Sequence, residues 1–546
     1  MPHVEIRDLR VLFRNAAGQE VPAVESVGFS LERGQTLGIV GESGSGKSTV
    51  ARALLGFARP GARFDAGCVR VGGQDVLALP RTELQAFRGA KAVMVPQNPL
   101  SSLTPHRTNG EQLTELIARH VGLSGVAART RALDLMAATD LPEPAQLFDR
   151  YPHEISGGQR QRLVIASALV ATPELIVMDE PTTALDKTVE ARVLDLVKSV
   201  QAQLNATLIY VSHDLNVIAK LCQRVLVMKG GVEVESGSTE AVFHAPQSAY
   251  TQNLVAAIPR LDSRPARRMA TAAAPAVRVE GLRFAYAPAQ RLLGQRRAGP
   301  AVVDDVSFAI APGETLGVLG ESGSGKSTMA SLIAGALPGF SGRMLIGETE
   351  IAGAARDRSM GLRRRIQMVF QDPLSSLNPT QTVKQTLTRP AMRYFGLNRT
   401  QARDKAAAML ADMDMDPDFL ERWPRQLSGG QQQRIAIARA LIAEPEVLIC
   451  DEVTSALDVT IQAQVLRLLS RLQEQFGLAM VFISHDLAVV AEVSDQILVL
   501  ERGQVRDYGA RDVVLDRPGH PYTKRLLAAY RGNERRQTTA RFDAGI

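Results

Sequence analysis

Short apolar runs that stop abruptly at polar or glycine-rich punctuation recur along this chain. Thr36-Leu37-Gly38-Ile39-Val40 ends in a glycine-rich loop and predicts a buried strand, followed by a helix over Ser48 to Phe57. Leu175-Ile176-Val177-Met178 and Val447-Leu448-Ile449-Cys450 predict further buried strands, each closed by an acidic pair. Leu208-Ile209-Tyr210-Val211 and Met480-Val481-Phe482-Ile483 run instead into Ser-His-Asp. Strands buried on both faces and alternating with helices predict an α/β fold, a mostly parallel sheet flanked by helices. Nowhere do about 18 apolar residues follow one another, so no segment is expected to span a bilayer unaided.

The pattern occurs twice. Gly41-Glu42-Ser43-Gly44-Ser45-Gly46-Lys47-Ser48-Thr49 returns letter for letter as Gly320 to Thr328, a shift of 279 residues. Ser156-Gly157-Gly158-Gln159, Asp179-Glu180 and Ser212-His213-Asp214 return as Ser428 to Gln431, Asp451-Glu452 and Ser484-His485-Asp486, all shifted by 272. Insertions and deletions therefore fall between the glycine-rich loop and the Ser-Gly-Gly-Gln element. A duplicated unit is the simplest source. The expected organisation is domain 1 over residues 1–259, a linker over 260–275, domain 2 over 276–529 and a flexible polar tail over 530–546. The linker is rich in Arg, Ala and Pro and spans at most about 55 Å if extended.

A length of 546 residues already favours more than one hydrophobic core, and 45% apolar with 22% charged residues reads as ordinary globular protein. A formal charge of +6 is small for that length and gives little support to nucleic-acid binding. Cys68, Cys222 and Cys450 form no CxxC pair, and Met1-Pro2-His3-Val4-Glu5 lacks the start of a secretory signal. A reducing cytoplasm is the expected compartment.

Gly-x-x-x-x-Gly-Lys-Ser after a strand is the phosphate-binding P-loop pattern. Its glycines let successive backbone N–H groups face phosphate oxygens, and the helix that follows adds its positive end. Gly41, Ser43, Gly44, Ser45, Gly46, Lys47, Ser48 and Thr49 form the first predicted cradle; Gly320, Ser322, Gly323, Ser324, Gly325, Lys326, Ser327 and Thr328 form the second. The lysines are expected on the β- and γ-phosphates, and Ser48 and Ser327 on Mg²⁺. An acidic pair after a strand is by itself a common solvated turn. Beside a P-loop, Asp179 and Asp451 become Mg²⁺ ligands, and Glu180 and Glu452 the bases that polarise the attacking water. His213 and His485, equivalent in the two copies, are expected to contact the γ-phosphate.

Ser-Gly-Gly-Gln at the start of a helix, as Ile155 to Gln159 and Leu427 to Gln431, narrows the class. Over nearly its whole length the chain resembles the ATP-binding-cassette ATPases, for which these are signature motifs. The resemblance implies two P-loop cassettes, each with a mostly parallel sheet core and a helical subdomain, arranged head to tail as an intramolecular pseudo-dimer. It also implies ATP bound by Ser156, Gly157, Gly158, Gln159, Ser428, Gly429, Gly430 and Gln431. Gln97 and Gln371 correspond to the glutamines that approach Mg²⁺ and the membrane partner, while Thr183 to Asp186 and Ser455 to Asp458 look like D-loops. Phe13 and Tyr286 stand where the family stacks an aromatic ring on adenine, although a strand aromatic is more often core. In the sandwich so implied, Lys47, Gln97, Asp179, Glu180 and His213 share one nucleotide with Ser428, Gly430 and Gln431. Lys326, Gln371, Asp451, Glu452 and His485 share the other with Ser156, Gly158 and Gln159. Both sites keep every motif, so both are expected to hydrolyse ATP. Ile155 for the usual Leu and Val453 for the usual Pro are the departures.

The Pro-x-x-x-Tyr-Thr-x-x-Leu tails at Pro246 to Leu254 and Pro518 to Leu526, with Pro-Leu-Ser-Ser-Leu at Pro99 and Pro373, resemble the ATPases of dipeptide, oligopeptide and nickel importers. Some glutathione-type and microcin-type importers use a fused chain like this one. The implied partners are two integral-membrane permeases and an extracytoplasmic solute-binding protein, with the ATPase peripheral on the cytoplasmic face of the inner membrane. No nucleic-acid partner and no metal cluster are expected. The rival reading is a soluble tandem cassette acting on ribosomes, a group that carries a long charged connector between its domains.

Overall fold

The computed structural model describes residues 2–15, 18–182, 187–261, 274–286, 299–351, 353–455, 457–528 and 530–531. Most of the linker and tail, the first D-loop (183–186) and Ala456 of the second lie outside the described residues. The chain divides into two compact units that part between Ile258 and Pro259.

In the first unit a six-stranded sheet runs in the order Val232–Ser238, Arg224–Lys229, Thr36–Val40, Thr207–Val211, Leu175–Asp179, Ala92–Val95. All neighbours are parallel except the antiparallel edge pair Arg224–Lys229 and Val232–Ser238. The three central strands are buried at every position, which is why they read as unbroken apolar runs. A second, antiparallel sheet pairs Val4–Arg14 with Glu20–Val24, Phe29–Leu31 and Ala62–Val71. Its inner residues Val4, Ile6, Leu9 and Val69 form one core with Ile39, Val50 and Leu54. Asn109–Val121, Gly125–Ala138 and Pro144–Phe148 pack with the signature helix Gly157–Ala168 on the other side of the main sheet.

The second unit repeats this plan. Its main sheet runs Ile366–Val369, Val447–Asp451, Ala479–Ile483, Thr315–Leu319, Gln496–Glu501, Gln504–Ala510. Its antiparallel sheet is built on Val277–Ala285 and Ala301–Ile310, and its helical part on Val383–Phe395, Arg399–Asp412 and Gly429–Leu441. Among the described residues no helix is long and apolar enough to cross a membrane.

One expectation needs correcting. The helix predicted over Ser48 to Phe57 spans only Lys47–Ala53, and the chain then turns through Gly56 at φ 63°. The stop is a glycine cap: the Phe57 N–H donates to the Arg52 carbonyl at 3.1 Å and the Gly56 N–H to the Ala53 carbonyl at 2.8 Å. Arg88 caps the same end, its guanidinium donating to the Leu55 and Gly56 carbonyls, both at 2.7 Å. Arg358 does the same in the second unit, reaching the Ile333 carbonyl at 2.7 Å and Leu332 at 3.1 Å at the end of Lys326–Ala334.

Candidate active site

Each P-loop leaves a central strand and enters a helix through a glycine that no other residue replaces. Gly46 and Gly325 cap their helices at φ 97° and 102°, and a Cβ there would meet the Ala23 or Val302 carbonyl oxygen at 2.7 or 2.4 Å. Gly44 and Gly323, by contrast, face open space where a Cβ would stand. The Lys47 ammonium donates to the Gly41 and Glu42 carbonyls at 2.7 Å, and Lys326 to Gly320 and Glu321 at 2.7 and 2.8 Å. Burial pushes the Lys47 pKa down against the attraction of Glu180 and Asp179. The Ser45 and Ser324 hydroxyls are buried with no hydrogen-bond partner. A buried cation on its own loop carbonyls, an orphaned hydroxyl and an open glycine face together fit a polyphosphate.

Asp179 and Asp451 are the last residues of buried strands. The Ser48 hydroxyl donates to Asp179 at 2.7 Å and Ser327 to Asp451 at 3.0 Å. Burial raises the pKa of both carboxyls. A buried carboxylate beside a serine hydroxyl is a hard oxygen donor set, and it fits Mg²⁺. The two sites differ here: Arg52 donates to Asp179 at 3.1 Å in the first unit. The second unit has Ser331, five residues after its P-loop lysine, at the position that Arg52 holds after Lys47. Sequence reasoning missed Arg52, although its place one helical turn after Ser48 puts it on the same face.

The glutamates follow with the backbone in the left-handed region, φ 50° at Glu180 and 48° at Glu452, uncommon for a residue with a Cβ. Their N–H groups donate to the Val211 and Ile483 carbonyls at 2.9 and 3.0 Å, which holds that conformation. Glu180 Oε2 accepts from Gln97 Nε2 at 2.9 Å and lies 3.1 Å from His213 Nδ1. Glu452 Oε2 accepts from Gln371 at 2.9 Å, with His485 Nδ1 3.5 Å from Oε1. Burial alone would lower His213, but the Glu180 carboxylate outweighs it and holds the imidazole above its ordinary pKa. Burial would likewise raise Glu452, yet its contact with His485 holds it below the usual range. In each unit glutamine, acid and histidine, far apart in sequence, thus form one chain of contacts.

Phe13 and Tyr286 lie on the surface, 40% and 49% exposed, not in the core. The Tyr286 hydroxyl is 3.2 Å from the Thr328 hydroxyl at the end of the second P-loop. An open ring beside the phosphate cradle suits a base-stacking role.

Ser156 and Ser428 each cap the signature helix: the hydroxyl accepts from the N–H of Gln159 or Gln431 at 3.3 Å, and that glutamine's side chain accepts the serine N–H at 2.9 Å. The two glycines have separate reasons. A Cβ on Gly158 would meet Val189 Cγ1 at 2.7 Å, and on Gly430 would meet Ile461 Cγ2 at 2.6 Å. Gly157 and Gly429 meet nothing closer than 3.9 Å, leaving an open helix start to which an anion has access.

The ABC transporter family model matches residues 24–183 and 303–455, and the model for the oligopeptide/dipeptide transporter C-terminal region matches 234–284. The chain is 39% identical to the glutathione import ATP-binding protein GsiA of Pectobacterium atrosepticum, over 96% of this chain and 89% of that one. It is equally identical to GsiA of Shigella dysenteriae serotype 1 and of Escherichia coli O157:H7, over 94% of this chain and 87% of each. Among solved structures, a dimeric ATP-binding cassette, MJ0796, bound to ADP and Pi is 27% identical, covering 43% of this chain and 98% of its own, with TM-score 0.40. With the family model present in both halves and that identity sustained across nearly the whole chain, the protein belongs to the ABC transporter family, as an ATP-hydrolysing chain with two cassettes in tandem.

Proposed function

We propose that this chain powers the import of peptides or peptide-like solutes, glutathione among them, by hydrolysing ATP at two complete sites. The observation that carries the reading is the sustained identity to glutathione import ATPases, supported by the match to the oligopeptide transporter C-terminal region. Two integral-membrane permeases would receive the work, an extracytoplasmic binding protein would choose the solute, and the chain would sit peripherally on the cytoplasmic face of the inner membrane.

Within each cassette, Lys47 or Lys326 trades loop carbonyls for phosphate oxygens, and Glu180 or Glu452 takes the proton of the attacking water. His213 and His485 keep that carboxylate aimed. Mg²⁺ held by Ser48, Gln97 and Asp179, or by Ser327, Gln371 and Asp451, would neutralise charge on the β- and γ-phosphate oxygens.

Affinity purification from membranes tests the importer reading. Multispan permeases should co-purify, and ATP turnover in the reconstituted assembly should rise when a liganded binding protein is added. Recovery of ribosomal proteins without permeases would refute it.

A further inference from the structure

In the fold each Pro-x-x-x-Tyr-Thr tail reaches the phosphate site. The Tyr250 phenol oxygen accepts the Glu42 N–H at 3.2 Å, and the Tyr522 phenol oxygen accepts the Glu321 N–H at 3.1 Å. Glu42 and Glu321 are the second residues of the two P-loops. Their carbonyls are held from the other side: Ser45 N–H donates to Glu42 at 3.1 Å and Ser324 N–H to Glu321 at 3.2 Å, beside the lysine bonds already described. One residue of each loop is therefore pinned at both its N–H and its C=O.

The tyrosines are themselves aimed by a device that the two units share. Glu235, on the edge strand, accepts the Gln247 and Ser248 N–H groups at 2.9 and 3.0 Å. Asp507, 272 residues later, accepts the Gly519 and His520 N–H groups at 3.0 and 3.1 Å. Each carboxylate clamps the turn that starts the tail helix, two residues before the tyrosine. Ser248 Oγ and His520 Nδ1 then accept the tyrosine N–H at 3.2 and 3.1 Å. Different side chains serve the same position, while the acid clamp and the phenol contact stay the same.

We infer that Tyr250 and Tyr522 are positioning residues for nucleotide binding, each fixing the first turn of its P-loop from a strut clamped by Glu235 or Asp507. The inference rests on the nucleotide-site reading above. A loop N–H that loses its acceptor is free to swing, and the lysine and serine groups that follow it must then be ordered by the nucleotide itself. The cost falls on binding. The Glu180 and Glu452 carboxylates are held by other elements, so the chemical step is spared.

The test uses the full chain. Tyr250→Phe/Tyr522→Phe should weaken Mg²⁺–ADP binding, read by calorimetry, and raise the KM for ATP, both by about three- to tenfold, the span expected for one neutral hydrogen bond. Its kcat and thermal midpoint should match the unaltered chain. Glu235→Gln/Asp507→Asn should move affinity the same way, which keeps the test open should the phenol variant fail to fold. Unchanged affinity in either folded double variant, or a loss that merely tracks a lowered thermal midpoint, overturns the inference. Tyr394→Phe, remote from both P-loops in the sequence and outside every contact described, serves as the control. Failure of the unaltered chain to bind Mg²⁺–ADP would refute the nucleotide-site reading instead.

Discussion

Replacing Arg52 by serine makes the first site resemble the second where the surroundings of the strand-end aspartates, Asp179 and Asp451, differ. Arg52 Nη2 lies 3.1 Å from Asp179 Oδ2, with the side chains 18% and 4% exposed. Removing one partner of a fully buried ion pair costs about 3–5 kcal/mol, because the remaining charge stays buried without its counterion. Here the Ser48 hydroxyl still donates to the other oxygen at 2.7 Å, and Arg52 is partly wet. We therefore expect about 2 kcal/mol. That corresponds to a roughly thirtyfold larger equilibrium constant for opening the local structure. Hydrogen exchange followed by mass spectrometry localises the effect: peptides covering Leu175–Asp179 and Lys47–Ala53 should exchange faster, while Val447–Asp451 in the second unit stays unchanged and serves as internal control. Mg²⁺–ATP should remove most of the difference, since a dication then supplies the charge that arginine did. Three results would refute the reasoning: no acceleration, equal acceleration in both units, or a difference that Mg²⁺–ATP leaves intact.

Glutamine at Glu180 or Glu452 keeps a carbonyl oxygen for the neighbouring glutamine but loses the carboxylate proposed as the base. Each single variant should retain about half the turnover of the reconstituted importer, and the double variant should fall by about 10²–10⁴-fold. Total loss from Glu180→Gln alone, with Glu452→Gln fully active, would show that the sites are unequal. His213 should titrate by NMR above its ordinary value of 6.5, and Glu180→Gln should bring it down. The sign follows from the pairing: the charged contact adds stability fully present below pH 6.5 and lost as pH rises through the raised folded value. Alanine at Gly158 or Gly430 should cost about 1–3 kcal/mol by overpacking against Val189 or Ile461, visible as a lowered thermal midpoint. A second substitution, Val189→Ala or Ile461→Ala, should recover part of that loss.

Much of this was legible in the residues, for physical reasons. Strands such as Thr36–Val40 are buried on both faces, so an unbroken apolar run announces them. The P-loop and acidic-pair chemistry depends on local spacing, which a sequence carries directly. The antiparallel sheet was not anticipated. Val4–Arg14 buries alternate residues for part of its length, then shifts register between Arg7 and Val11, so its periodicity breaks. The end of the first P-loop helix was also missed: Gly56 turns the chain there, and Arg88 caps it from more than thirty residues away. The tail tyrosines looked like marks of kinship, since nothing local to residue 250 says that its hydroxyl meets residue 42.

The left-handed backbone at Glu180 and Glu452 constrains anyone wishing to build a catalytically silent version of this protein. Here main-chain torsion, rather than rotamer choice alone, sets the direction in which the side chain leaves the strand. Glutamine or asparagine tolerates that torsion and leaves the surroundings in place. A β-branched valine or isoleucine would strain the chain itself and confound lost chemistry with lost folding.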